Sequence, residues 1–283
     1  MGKDSIFTAQ DANHERQAVA GQRRGEQDYS QLRDRILRIN KEAARWFQNQ
    51  LLRSSGNKAM SFLGKRHVER ETVERFYLGF APDGRDNLLK AMETFGYSAE
   101  EVVCAGLAGK DSTGTAYDKF RNRLIFPVQD AQGEVHGFSG RILEDETEPI
   151  YLNTPETIAF HKRDYLYGLY QAQSSQRNNM LLVESFFDVV VLHQMGFDNA
   201  VSPVGTAFLM DQLQMVPRDT TEIILCYDKD HAGQKAAERT PEILKGSKYA
   251  VKVLKLPDSV SDAVDFIVRY GSPAFEELLT GRN

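Results

Sequence analysis

Cysteine is scarce in this chain: Cys104 and Cys226 are its only two. They lie far apart, with no CxxC or Cys/His spacing beside either, so no structural zinc site is encoded and no zinc is expected. Both read as small buried hydrophobes. Long apolar runs are also missing. None approaches the length that crosses a bilayer, and the polar start of the chain lacks the apolar core of a signal peptide, so a cytoplasmic protein without a membrane partner is expected. A third absence is an excess of positive charge: Lys and Arg number 35 against 40 Asp and Glu, a formal net charge of −5. That balance argues against a surface that grips nucleic acid everywhere, but leaves room for a local basic groove. What is present is ordinary for a globular protein, 41% hydrophobic and 27% charged over 283 residues, long enough for two modest domains.

Residues 1–28 are polar and without sustained apolar periodicity, and are expected to be a flexible tail. Beyond them Leu32, Ile36, Ile39, Ala43, Trp46, Phe47 and Leu51 recur at three- and four-residue intervals and predict a long amphipathic helix. Shorter helices are expected around Arg70–Tyr77, Asp86–Phe95 and Leu166–Gln173. Between Tyr117 and Leu143 the period shortens toward that of strands, at Arg123–Val128 and Gly133–Arg141, with a turn at Gln129–Gly133 that predicts a hairpin. From Met180 onward strands at 180–184, 199–203, 222–227 and 249–255 alternate with helices at 186–195, 208–216, 231–245 and 262–270. Such alternation demands crossover connections and a mostly parallel sheet. The expected fold class is therefore α/β, with an α+β domain over 29–178 followed by a Rossmann-like domain over 179–283.

Three acidic clusters stand where the apolar strands end: Glu184 with Asp188, Asp228 with Asp230, and Asp262 with Asp265. In an open parallel sheet the carboxyl ends of the strands form the ligand crevice, so acids from separate segments converge there. Oxygen-only donors suit Mg²⁺ or Mn²⁺, not zinc. An Asp at such a place also serves as a helix N-cap, and any single cluster is open to that reading.

The Leu181-Leu182-Val183-Glu184 strand end and the Asp228-Lys229-Asp230 pair resemble the Toprim domain of bacterial primases, topoisomerases and several nucleases. Four segments narrow the resemblance to the RNA-polymerase core of the bacterial replicative DNA primases: Tyr117–Arg123, Gly137–Arg141, Tyr151–Thr157 with Phe160-His161-Lys162, and the Toprim strands themselves. The resemblance implies a template-directed synthase of short RNA primers. In it Glu184, Asp228 and Asp230 are catalytic and, with Asp188 and Asp262, bind two or more Mg²⁺ or Mn²⁺ ions. It further implies that Arg121, Arg123, Arg141, Tyr151 and Lys162 line a groove for the single-stranded DNA template and the nascent RNA–DNA duplex. Lys229 and His231 would contact ribonucleoside triphosphates. Arg121 and Arg123 are expected on one side of an extended segment.

Departures from the family pattern are specific. Ser185 follows the catalytic Glu where Gly is usual, Val264 replaces the second Asp of an Asp-Pro-Asp motif, and Ile150 stands where a basic residue is usual. The amino-terminal zinc ribbon and the carboxyl-terminal helicase-docking domain of such primases have no counterpart here. An excised core and a stand-alone primase are both consistent with that, and a replicative helicase or a separate zinc-binding protein is a conceivable partner. Two rival functions use the same acids or fewer: a Toprim nuclease, and a degenerate nucleic-acid-binding module.

Overall fold

A computed structural model describes residues 9–143, 149–205, 208–227 and 231–281. Helix α1 (Ala9–Leu51) leads into α2 (Asn57–Lys65), α3 (Arg70–Arg75), strand β1 (Gly79–Ala81), α4 (Asn87–Thr94), α5 (Ala99–Cys104), β2 (Ala108–Lys110) and β3 (Ala116–Asp118). Strands β4 (Arg123–Gln129), β5 (Val135–Ile142) and β6 (Tyr151–Asn153) follow. They join β1 in an antiparallel sheet of order β1-β4-β5-β6. The remaining elements are β7 (Leu166–Tyr167), α6 (Leu169–Ala172), β8 (Asn179–Leu182), α7 (Phe186–Gln194), β9 (Ala200–Pro203), β10 (Glu222–Leu225), α8 (His231–Leu244), β11 (Ala250–Val253), α9 (Ala263–Tyr270) and α10 (Ser272–Thr280).

These build a second sheet of order β11-β10-β8-β9-β7, parallel except at the β7 edge. The α/β alternation read from the sequence is present, with helices connecting the parallel strands. The β7 edge strand comes from before residue 178, so the second sheet reaches back across the expected domain boundary.

Several expectations need correction. The segment expected to be a flexible tail is helical from Ala9, because its Ala, Gln, Glu and Arg residues propagate a helix that the packed half of α1 has already nucleated. Helix 166–173 shrinks to Leu169–Ala172, since Gly168 at φ 85° separates it from a two-residue strand. Helix 208–216 is a 3₁₀ segment, Met210–Met215. Cys226 is buried as expected, but Cys104 is exposed at the end of α5.

The α1 stripe does its expected work in its carboxyl half. Ile36, Ile39, Ala43, Phe47 and Leu51 are fully or almost fully buried, whereas Leu32 stays exposed. Phe47 meets Phe138 and Phe120 edge-on, at 5.6 and 6.4 Å between ring centroids. A second apolar cluster joins the two sheets. It runs from Phe62, Phe76 and Phe126 to Leu181, Val183, Phe186 and Val189 without interruption. Phe186 stacks on Tyr167 at 4.2 Å and meets Phe126 at 6.2 Å, while Phe187 meets Phe62 at 6.0 Å. At roughly 1.5–3 kcal/mol for each fully buried large apolar side chain, this joint fixes whatever immediately precedes Phe186 against the antiparallel sheet.

One buried acid ties distant segments together. Asp118 is 2% exposed and accepts the backbone N–H groups of Leu88 and Leu89 at 2.7 and 3.0 Å, satisfying orphan donors at the start of α4. Burial outweighs those bonds and raises its pKa to about 6. The folded state therefore binds this proton more tightly than the unfolded chain. The contribution is present below the unfolded pKa near 3.8 and is lost as pH rises through 6. Denaturant titrations should show the stability difference between the natural chain and Asp118→Asn changing by about 1–3 kcal/mol between pH ~4 and ~7. A pH-independent difference would rule this account out.

Candidate active site

Strand β8 ends at Leu182 in register with Leu225 of β10, so two residues later Glu184 comes beside Tyr227. The Glu184 charge helps hold the Tyr227 phenol pKa above its ordinary value, after burial. Asp228 follows Tyr227 directly in sequence. Asp228, Lys229 and Asp230 lie outside the described residues, and His231 opens α8.

Ser185 is extended, at φ −108° and ψ 145°, and its hydroxyl accepts the Asp188 N–H at 3.0 Å. No left-handed conformation is needed where the family has glycine, and the serine gains an N-cap on α7. Glu184 and Asp188 are both half-buried at this entrance. Ser202 on β9 donates its hydroxyl to the Glu184 carbonyl at 2.9 Å, which fixes the strand end.

A cleft of about 120 Å³ opens here, lined by Glu184, Ser185 and Phe186 from one sheet and Ser139, Tyr151 and Asn153 from the other. Ser139 and Asn153 face each other across β5 and β6. Among the described residues, Ser139 Oγ and Asn153 Oδ1 are buried without a hydrogen-bond partner. Leaving such an oxygen unpaired costs about 1–3 kcal/mol, so these two, in a cleft shared with Glu184, have lone pairs available to a ligand. Hard oxygen donors with no Cys or His among the lining residues fit a divalent cation of the Mg²⁺ class. Neither Ser139 nor Asn153 was singled out from sequence, since a lone Ser or Asn in a strand carries no signal of its own.

Tyr151 is not a free stacking platform. Its ring packs on Phe126 and Phe186 at 6.3 and 6.4 Å, and its phenol interacts with the Ser185 side chain and the Phe187 N–H. Burial first, and then the Asp188 charge, push that phenol up to about 12 despite Arg141 nearby. Arg141 lies over Phe62 at 4.8 Å, and Arg66 lies over the same ring at 3.7 Å. Arg66 was missed in the sequence because it belongs to none of the strand-like segments.

Lys162 and half-buried Lys119 are close enough that Lys162 adds to burial in lowering the Lys119 pKa. An alanine methyl built at Gly205 would lie 2.5 Å from Asn153 Nδ2 and 3.7 Å from Lys162 Cδ, so the Lys162 stem passes beside the cleft. Among the described residues no carboxylate pairs with either side chain. Two cations held together in that way favour a polyanion.

Other expected site residues go elsewhere. Asn122 adopts φ 50°, which breaks the extended run and sends Arg121 and Arg123 to different environments. Arg121 is exposed and sits over Tyr117 at 5.6 Å, with Arg85 over the same ring at 5.7 Å. Arg123 is 8% exposed, and its Nη1 donates to the carbonyls of Gly140, Pro149 and Ile150 at 3.0, 3.0 and 3.1 Å. Its side chain crosses Gly140, where an added methyl would lie 2.7 Å from Phe120 and 3.0 Å from Arg123 Cδ. Arg123 is thus a strap across the sheet, not a surface phosphate contact.

Asp262 is the N-cap of α9, accepting the Asp265 N–H at 2.7 Å and the Ser261 hydroxyl at 2.7 Å. Asp265 pairs with Arg269 at 2.7 Å, which leads the lowering of its pKa, and Val264 packs against the core. The third acidic cluster is accordingly occupied in building a helix start.

Both halves of the chain match known protein families. Residues 46–173 match the family model described as DNA primase catalytic core, N-terminal domain, and residues 181–267 match the Toprim-like model. The DNA primase of Clostridium acetobutylicum is 38% identical over 247 residues, 87% of this chain and 41% of that protein. The DNA primase of Haemophilus influenzae is 38% identical over 258 residues, 88% of this chain and 42% of that protein. The chain thus spans about two fifths of the length of these curated relatives. Among solved structures, a DnaG primase catalytic domain bound to single-stranded DNA superposes with a TM-score of 0.81 at 35% identity, covering 89% of this chain and 82% of that one. The primase catalytic core of E. coli gives 0.79 at 37% identity, covering 87% and 80%.

Proposed function

The chain belongs to the bacterial DNA primase family, and on that premise we propose that it synthesises short RNA primers on single-stranded DNA. The observation that carries the proposal is the cleft in which Glu184 meets Ser139, Tyr151 and Asn153 of the other sheet. A Toprim fold alone would serve a nuclease equally well. What favours synthesis is the match of the whole antiparallel half, which supplies the opposite wall of that cleft.

In this proposal Glu184, Asp228 and Asp230 hold Mg²⁺ or Mn²⁺, with Asp188 in support; Asp262 is left as a cap. Bound divalent cations lower the pKa of an attacking 3′-hydroxyl and stabilise charge developing on the leaving pyrophosphate. Glu184 is either a ligand or the acceptor of the hydroxyl proton. Lys119 and Lys162 receive the triphosphate, and Lys229 and His231 are further candidates for contacting it. Ser139 Oγ and Asn153 Oδ1 orient the incoming ribonucleotide. Tyr151 joins the antiparallel wall to the α7 entrance, and Arg141 and Arg66 guide the DNA template. The RNA–DNA duplex leaves over this same wall, while a replicative helicase or a separate zinc-binding protein would act beyond the segment described.

Purified protein supplied with single-stranded DNA, ribonucleoside triphosphates and Mg²⁺ or Mn²⁺ is expected to yield short RNA oligonucleotides, and chelation of the metal should abolish them. Template cleavage without synthesis would replace this reading with a nuclease, and strand binding without either product would leave a degenerate module.

A further inference from the structure

A second groove lies where the start of β5 meets α1. Its volume is about 520 Å³, and its walls include Arg33, Arg38, Lys41 and Arg45 of α1 together with Tyr77 and Tyr170. Asp34 and Glu134 also line it, so the four cations leave a local excess of positive charge in a chain whose total is −5. Among the described residues Arg33, Arg38 and Lys41 make no ion pair. Arg45 reaches Glu42 at 3.2 Å, a surface contact with Arg45 59% exposed and of little energetic weight. From Arg33 to Arg45 the helix rises about 18 Å, enough to follow several extended nucleotides.

The tyrosines give this groove a second kind of contact. Tyr170 is 41% exposed, and it lies so close over the hairpin turn that an added methyl on Gly133 would come within 2.8 Å of its ring. Tyr77 is more telling. It ends α3 at the position where Leu78 N–H bonds Val73 O at 3.0 Å and Tyr77 N–H bonds Glu74 O at 3.1 Å, a Schellman closure that normally takes glycine. Tyr77 adopts φ 52° there, a left-handed conformation that costs a bulky residue about 1–2 kcal/mol. Its ring, 46% exposed, recovers little of that cost by burial. Strain kept at an exposed position points to a role for the side chain itself.

Cations along a groove and exposed aromatic rings beside them are the two components of sequence-tolerant strand binding, one for phosphates and one for bases. We infer that this groove is a second binding track for single-stranded nucleic acid, holding the strand away from its reacting segment. Val135 lines the groove and Ser139 lines the candidate cleft, about 13 Å apart along β5 but on different faces of the sheet, so a strand that occupies both must round the sheet and only a long one can reach. The inference rests on the reading that this chain acts on single-stranded DNA.

Fluorescence anisotropy with short and long oligothymidylates, over a range of salt, tests it on the full chain. Combined Arg38→Ala, Lys41→Ala and Arg45→Ala should weaken binding of the long strand about tenfold and reduce the salt slope by about 2, leaving the short strand unchanged. Tyr77→Gly should weaken the long strand about fivefold while the Tm stays level or rises, because glycine relieves the left-handed strain. Long-strand affinities equal to the natural chain's, or a fall in Tm for Tyr77→Gly, would overturn the groove. A natural chain that synthesises primers while its variants bind normally refutes the groove alone. A natural chain that binds no strand and makes no primers refutes both the groove and the function beneath it.

Discussion

Replacing Glu184 with Gln is expected to lower primer synthesis by about 10³-fold or more while binding of single-stranded DNA is retained. The substitution keeps the size of the side chain and removes its charge. Glu184 lies just beyond the carboxyl end of β8, half-buried, in a cleft where Ser139 Oγ and Asn153 Oδ1 lack partners among the described residues. If the carboxylate helps hold the cations or accepts the hydroxyl proton, its removal takes away several kcal/mol of transition-state stabilisation, and each 1.36 kcal/mol is about tenfold in rate. Stability should change little, because glutamine keeps the size of the side chain and the Ser202 hydroxyl still holds the Glu184 carbonyl. Rates measured under saturating template, with anisotropy and thermal melting on the same samples, separate the possibilities. Full synthesis by this variant would remove Glu184 from the mechanism.

The second large effect is on the fold. Arg123→Met should destabilise the protein by about 2–4 kcal/mol, since three backbone carbonyls lose a charged donor in a buried place. At about 2–4 °C per kcal/mol for a chain of comparable size, the Tm should fall by about 5–15 °C. Below that temperature, affinity for single-stranded DNA should stay within about twofold of the natural value. Arg121→Ala is the matched control: exposed over Tyr117, it should leave Tm unchanged and weaken strand binding. Arg123→Met losing strand affinity at an unchanged Tm would restore the phosphate-binding role and discard the strap.

These two arginines mark how far the sequence could be read. The family resemblance placed both in one basic groove, and their spacing put them on one side of it, on the assumption that the chain between them is extended. A single left-handed residue, Asn122 at φ 50°, separates them, and φ at a non-glycine position is not written in spacing. The acids divide in a similar way. Glu184 could be recognised because it ends an apolar run within an α/β alternation. Asp262 carried the same signal, yet its carboxylate caps α9. Strand-end acids serve as caps or as ligands by the same chemistry, an oxygen accepting from a donor, and only the position of the next element decides which.

By itself the sequence determined the alternation of strands and helices, the parallel sheet, the buried face of α1 and the place of Glu184, because periodicity and strand-end position are local properties of the chain. The tertiary structure decided the rest. The apolar joint of Phe126, Tyr167, Phe186 and Phe187 brings the antiparallel wall against the Glu184 strand end. That contact turns Ser139 and Asn153 from unremarkable strand residues into lining of the candidate cleft beside Glu184. Packing between segments far apart in the chain made these neighbours, and no pattern within either segment encodes it.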